Sequence, residues 1–233
     1  MSSLGFIIPA AGSGRRMGTD IPKPFIELAG EPLIVHTLRR LLEYDQTREV
    51  AIACSTDWMS RVEVLVRPLC EQAEAQCHIV EGGQERQDSV YRGLLALNAV
   101  DLIAVHDAVR PFVKPENIRK CCEKAAKEGA AILGVPVRDT IKIVNDDRSI
   151  RETPDRRRLW KAQTPQVFQA GLLKKAFEEA GKQEFVGTDD ASLLEWMGQK
   201  VFVVEGSQDN FKITYPSDLE RAAQRLNRGE ING

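Results

Sequence analysis

Two rhythms of apolar residues alternate along the chain. Short, mostly apolar runs end in glycines or polar turns: LGFIIPA (4–10), VAIAC (50–54), CHIVEGG (77–83), LIAVHD (102–107) and AAILGVPV (130–137). Runs of this length, apolar without alternation, predict strands buried on both faces. Between them, PLIVHTLRRLLEY (32–44) sets Ile34, Leu38, Leu41 and Leu42 at helical spacing. Further helices are predicted over 58–74, capped by Asp57 and broken near Pro68, over 86–99, and from Pro115 to a glycine stop at Gly129. A helix over about 169–181, a capped helix opening at TDDASLLEW, a strand in KVFVVEG and a last helix from YPSDLERAAQRL follow. Ser217 and Glu220 stand at capping-box spacing in that last helix.

Strands alternating with helices predict an α/β fold of the Rossmann-like kind, a mostly parallel sheet with helices on both faces. Ligands of such sheets bind beyond the carboxyl ends of the strands. Three polar stretches follow strand ends here, AGSGRRMG, EGGQERQDS and HDAVRP, and the topology brings them to one edge. The segment 136–160 breaks the rhythm. It alternates in β fashion on both sides of NDDRS, as the two arms of a protruding hairpin do. Its apolar side is thin, with Ile141, Ile143 and Ile150 as main members, and an isolated hairpin is marginal in water. The expectation is a single domain over 1–233 whose 136–160 arm packs on a second subunit.

Composition narrows the classes. The 233 residues are 42% hydrophobic and 28% charged, ordinary for a water-soluble globular protein, and no apolar run approaches the roughly 20 residues that span a bilayer. The first residues lack the charged and apolar regions of a signal peptide, so the expected location is the cytoplasm. A net charge of −2 offers nothing global to attract nucleic acid or an anionic membrane. Positive charge is instead clustered, in Arg15, Arg16 and Lys23 and again in Arg151, Arg156, Arg157 and Arg158. The five cysteines form no C-x-x-C pair, which argues against a disulfide framework and a zinc site.

The first basic cluster sits on a glycine-bearing loop that leaves a strand. Gly12 and Gly14 let the backbone approach a ligand and offer N–H donors to an anion. The loop is neither a Walker loop nor a dinucleotide fingerprint. Asp107, at a strand end, reads either as a turn cap or as a metal ligand, with Arg110 close enough to neutralise it. His106 reads as a histidine at the edge of the core. In TDDAS, Thr188 or Asp189 is a normal N-cap. Asp209 and Lys212 put an acid and a base after another strand. No nucleophile elbow, H-E-x-x-H helix or Cys–His pairing is present. Scattered cations with one or two carboxylates suit phosphoryl or nucleotidyl transfer, where positioning and charge stabilisation do most of the catalysis.

Eight blocks then occur in order: PAAGSGRRMG, PKPF, EGGQERQDSV, VHDAVRP, PVRDTIK, LWKAQTPQVF, TDDASLLE and DNFKIT. Together they resemble the 2-C-methyl-D-erythritol 4-phosphate cytidylyltransferase family of the non-mevalonate isoprenoid pathway. The resemblance implies a nucleotidyltransferase-type fold, cytidylyl transfer from CTP to methylerythritol phosphate with release of pyrophosphate, Mg²⁺ as cofactor, and a homodimer with interlocking arms. It matches Ala10, Ala11, Gly12 and Gly14 to a cradle for CTP, and Arg16 and Lys23 to cations on the triphosphate. Gly83 and Ser89 match the reading of the cytosine ring. Asp107, with Ala108 and Arg110 beside it, matches the metal and substrate region, with Asp209 as a second carboxylate near the metal. Thr140 and Arg156 match contacts to the substrate phosphate from the neighbouring subunit, and Thr188 and Lys212 further substrate contacts. Gln84 stands where some relatives carry an acid. The alternatives are a ribitol 5-phosphate cytidylyltransferase or another NTP-dependent sugar-phosphate nucleotidyltransferase, the first loop favouring methylerythritol phosphate.

Overall fold

The computed structural model describes residues 2–12 and 21–227. Strand β1 (Leu4–Pro9) is buried along almost its whole length because it runs between two other strands with helices above and below. Its neighbours are β4 (Thr47–Cys54) on one side and β6 (Leu102–Val105) on the other, both parallel to it, with Ile7 opposite Ala51 and Val105. Beyond β4 lies β5 (Gln76–Glu81), also parallel. The chain thus leaves β1 toward one edge and returns to its other side at β6. That reversal opens a crevice past the strand ends, where doubly wound sheets bind ligands.

Alternation along each strand sends successive side chains to opposite faces. Phe6 and Ile8 join Val50 and Ile52 beneath α1 (Leu33–Leu42), α2 (Met59–Gln72) and α4 (Pro115–Glu128). Ile7, Ile103 and Val105 face α3 (Arg86–Ala96), α5 (Ala170–Lys182) and α6 (Asp190–Trp196). A third apolar cluster holds α7 (Pro216–Asn227) against Leu28 in the short β2 (Glu27–Leu28), which pairs with β3 (Glu31–Pro32). Among the described residues no helix is long and apolar enough to cross a membrane.

The second half of the sheet holds a strand that the apolar pattern misses. β10 (Trp160–Gln169) lies antiparallel between β6 and β7 (Ala130–Pro136), and β11 (Phe202–Glu205) closes the edge parallel to β7. The seven-stranded order is β11-β7-β10-β6-β1-β4-β5, so the sheet is mostly parallel with one reversed strand. Polar Lys161, Gln163, Thr164 and Gln166, with Pro165 among them, hide β10 in the sequence.

Helix ends bring three smaller corrections. Asp57 caps nothing: it lies in a short 3₁₀ turn, Thr56–Trp58, where Trp58 stacks on Phe25 with centroids 4.2 Å apart. α2 runs through Pro68 unbroken; Val64, four residues back, is 76% exposed, so water can serve the carbonyl that proline leaves unbonded. The last helix opens at Pro216, and Asp218, not Ser217, accepts the amides of Thr214 and Tyr215, both at 2.9 Å. The expected hairpin forms: β8 (Ile143–Val144) pairs antiparallel with β9 (Ile150–Glu152) across a tip in which the Asn145 amide donates to the Ser149 carbonyl. Ile141, Val144 and Ile150 on it remain exposed.

Candidate active site

Past the carboxyl ends of β1, β5 and β6 lies a cavity of about 370 Å³. Each wall follows from a strand that stops. β1 ends at Pro9, and Ala10, Ala11 and Gly12 turn along the cavity after the Ala10 amide has donated to Ala53. β5 ends before Gly82 and Gly83. A Cβ on Gly82 would lie 2.4 Å from that of Ala11, so the first and second loops touch only because this residue has no side chain. The Gly83 amide donates to the Ser89 hydroxyl at 3.0 Å, which folds the loop back onto α3. Glu85 and Asp88 cap that helix reciprocally.

β6 delivers Asp107. Its amide donates to Thr164 Oγ1 on β10 at 3.0 Å, and its Oδ2 accepts from Arg110 Nε at 3.0 Å and faces Lys212 Nζ at 3.1 Å. Burial pushes this carboxyl upward, but Lys212, Arg110 and Arg86 more than reverse it, and the group stays ionised well below the usual carboxylate range. The loop carrying Lys212 is tied to the same strand. Buried Asn210 donates to the Thr164 carbonyl at 2.8 Å and accepts Arg110 Nη1 on its own carbonyl at 2.7 Å. The missed strand is therefore the scaffold of the site.

His106 is fully buried and its Nε2 donates to the Arg110 carbonyl at 3.1 Å. Burial pushes its pKa down to about 4, so it is a neutral core residue.

The structure brings together Ala10, Ala11, Gly12, Lys23, Gly83, Ser89, Asp107, Ala108 and Lys212 around the cavity. Arg110 stands one layer behind Asp107. Lys23 is presented by a 3₁₀ turn, Lys23–Phe25, whose Phe25 carries the Trp58 stack. Gly14 and Arg16 lie outside the described residues. Thr140 and Arg156 are exposed and do not line this cavity; Arg156 donates to the Arg138 carbonyl at the base of the hairpin. Thr188 is exposed just ahead of α6, whose cap is Asp189. Asp209 does not reach the cavity wall: its carboxylate pairs with Arg225 of α7.

Arg86 lines the cavity without having been expected there, and Asp190 is its buried partner at 2.6 Å. Burial lowers the affinity of Arg86 for its proton, and the charges of Asp190, Asp107 and Asp189 raise it past its ordinary value. Arg86 lies in EGGQERQDSV and Asp190 in TDDASLLE, but nothing in their spacing, 104 positions apart, signals that they meet.

Among the described residues no group of three or more His, Cys, Asp or Glu side chains is gathered to hold a metal. A cavity with backbone donors from one loop, lysines from two others and the ionised Asp107 carboxylate can hold a polyphosphate and stabilise negative charge developing on it.

The comparisons with known proteins point the same way. The family model described as 2-C-methyl-D-erythritol 4-phosphate cytidylyltransferase matches residues 4–228. The cytidylyltransferase of that name from Halalkalibacterium halodurans is 45% identical over 213 residues, 91% of this chain and 92% of the relative. That from Clostridioides difficile is 42% identical over 230 residues, 97% and 96% of the two chains. The solved 4-diphosphocytidyl-2C-methyl-D-erythritol synthase of Anaerococcus prevotii superposes with a TM-score of 0.84 at 31% identity, covering 97% of both chains. The cytidylyltransferase structure from Thermus thermophilus gives 0.77 at 32% identity, over 97% and 98%. With a family match across nearly its whole length and relatives above 40% identity, the chain belongs to the 2-C-methyl-D-erythritol 4-phosphate cytidylyltransferase family.

Proposed function

We propose that the chain transfers the cytidylyl group of CTP to 2-C-methyl-D-erythritol 4-phosphate, giving 4-diphosphocytidyl-2-C-methylerythritol and pyrophosphate. The observation that carries this reading is the cavity itself, where Gly12, Lys23, Asp107 and Lys212 meet at the switch point of the sheet. The attacking group is the substrate's own phosphate, which carries a charge of about −1.5 to −2 near neutral pH. No general base is needed, in keeping with a neutral, buried His106.

The work left to the protein is to bring two anions together and hold the charge that gathers at the α-phosphorus. With Ala10 anchored to the sheet, backbone donors at Ala11 and Gly12 hold the triphosphate, with Lys23 and Arg16 on its charge. Gly83 and Ser89 shape the loop that meets the cytosine. Lys212, held against Asp107, meets the incoming phosphate, with Ala108, Arg110 and Thr188 beside it. Displacement of pyrophosphate by a phosphate oxygen forms the new P–O–P bond directly, with no covalent enzyme intermediate.

Relatives of this reaction class work with a divalent cation, and we assign Mg²⁺ here. An Mg²⁺ ion riding on phosphates keeps most of its waters and needs only one or two carboxylates. Asp107, ionised on the cavity wall, fits that requirement; Asp209, engaged by Arg225, is a less direct candidate. When bound there, the ion would neutralise charge on the transferring phosphates.

The chain acts as one nucleotidyltransferase domain and as a homodimer, its 136–160 arm crossing to the partner. The exposed Ile141, Val144 and Ile150 support that role. Thr140 and Arg156, too far out on the arm to line their own cavity, would then complete the partner's. Both substrates are water-soluble, which suits the cytoplasmic placement. The test is pyrophosphate release from CTP with methylerythritol phosphate and, separately, ribitol 5-phosphate. Turnover with the first and not the second supports the reading; preference for ribitol 5-phosphate, or for another NTP, replaces it.

A further inference from the structure

Asp190 is 1% exposed, yet it caps nothing, because Asp189 already accepts the Ser192 amide at the start of α6. A carboxylate taken out of water without a cap to make is costly unless a cation holds it. That cation is Arg86, the first residue of α3, whose Nη2 donates to Asp190 Oδ2 at 2.6 Å and whose side chain also lines the cavity.

Two glutamines hold the segment that leads into α6, one from α3 and one from β10. Gln87 donates to the Phe185 carbonyl at 3.0 Å and accepts the Gly187 amide at 2.9 Å. From the sheet, Gln166 donates to Asp189 Oδ2 at 2.7 Å and accepts the Ala191 amide at 3.0 Å. Thr188 therefore sits between Gly187 and Asp189, each held by a glutamine. The one charged link in this set runs from the loop of Gly83 and Ser89 to the segment of Thr188.

We propose that the Arg86–Asp190 ion pair is a strut that fixes the spacing between the nucleotide wall of the cavity and the Thr188 segment beside it, making Arg86 a positioning residue for the transfer. The proposal rests on the cytidylyltransferase reading, since that reading sets the Thr188 segment against the sugar phosphate. A strut acts on the alignment of two bound substrates more than on the binding of either. Small misplacements of reacting atoms cost rate steeply, of the order of a hundredfold for about 1 Å.

The experiment compares wild-type protein, Arg86→Met, Asp190→Leu and the double variant by steady-state kinetics, CTP calorimetry and thermal melting. Asp190→Asn serves where the leucine variant does not fold. Each single change is expected to lower kcat about tenfold or more, with KM and CTP affinity within about threefold. The double variant, an apolar pair of similar volume, is expected to recover most of the lost Tm while kcat stays low. Recovery of kcat together with Tm would show a packing role only and overturn the strut. So would an Asp190 variant with wild-type kcat beside an inactive Arg86→Met, because Arg86 would then act on substrate without its anchor. A wild-type protein that releases no pyrophosphate sinks the functional reading first, before any variant is compared.

Discussion

Replacing Lys212 by alanine separates what the Asp107 cluster does for the fold from what it does for the reaction. Asp107 Oδ2 meets two cations, Arg110 at 3.0 Å and Lys212 at 3.1 Å. The Lys212 side chain is 40% exposed, while those of Arg110 and Asp107 are 11% and 10% exposed. Water screens the Lys212 pair, so its loss destabilises by no more than about 1 kcal/mol. In a chain of this size that lowers Tm by about 2–4 °C. Arg110→Ala removes the buried partner and the bond to the Asn210 carbonyl, and costs about 3 kcal/mol, the lower end for a broken buried pair because Lys212 remains. Activity should rank the other way for Lys212. Loss of one preorganised charge at a phosphoryl centre costs about 3–4 kcal/mol, or roughly 10²–10³ in kcat. The assays are thermal melting and continuous pyrophosphate release at saturating CTP. A Lys212→Ala protein with kcat within about threefold of wild type refutes the reasoning, since a charge aimed at the transition state cannot be that dispensable. A Tm loss equal to that of Arg110→Ala would refute the structural half.

His106 titrates at about 4 in the folded protein against 6.5 for the free side chain, so its contribution to stability is complete above pH 6.5 and lost as pH falls to about 4. The loss amounts to about 3 kcal/mol, and His106→Gln should flatten the stability curve across that window in denaturant titrations; an unchanged slope would clear His106 of the effect. Gly82→Ala puts a methyl 2.4 Å from the Ala11 Cβ and must push the first two loops apart. KM for CTP should rise while KM for the sugar phosphate holds, and equal changes in both would contradict the loop assignment. Lys23→Ala and Arg156→Ala should each be inactive alone and regain activity when mixed under subunit exchange, because one heterodimer site is then intact. No recovery despite demonstrated exchange would place the arm in its own subunit's site or outside the reaction.

Legibility in the sequence followed burial. β1, β6, β7 and the Val50–Cys54 stretch of β4 are apolar on both faces, and an uninterrupted apolar run is hard to mistake. β10 is equally central but carries buried Gln163, Thr164 and Gln166. Those side chains are polar because they fasten the site: Gln163 donates to the Ser207 carbonyl, Thr164 holds the Asp107 amide, and Gln166 brackets the start of α6. A strand that serves as scaffold for loops is thereby stripped of the pattern that would betray it. The cavity residues were readable wherever glycine or an isolated charge followed a strand, as at Gly12, Gly83, Asp107 and Lys212. Arg86 with Asp190 was not, because pairing across 104 positions is set by the packing of α3 against α6 and leaves no local mark. The cap at Asp218 was missed for a smaller reason: Pro216 claims the first helical position and starts α7 two residues earlier than a Ser217 cap would.

The central claim is that a phosphate bound in this cavity displaces pyrophosphate from CTP. ³¹P NMR of the wild-type reaction with CTP, methylerythritol phosphate and Mg²⁺ tests it most directly. The account predicts two mutually coupled phosphorus signals from a new diphosphate diester, growing in step with the pyrophosphate resonance as methylerythritol phosphate is consumed. Formation of CMP without a coupled pair, or no loss of methylerythritol phosphate, would contradict it.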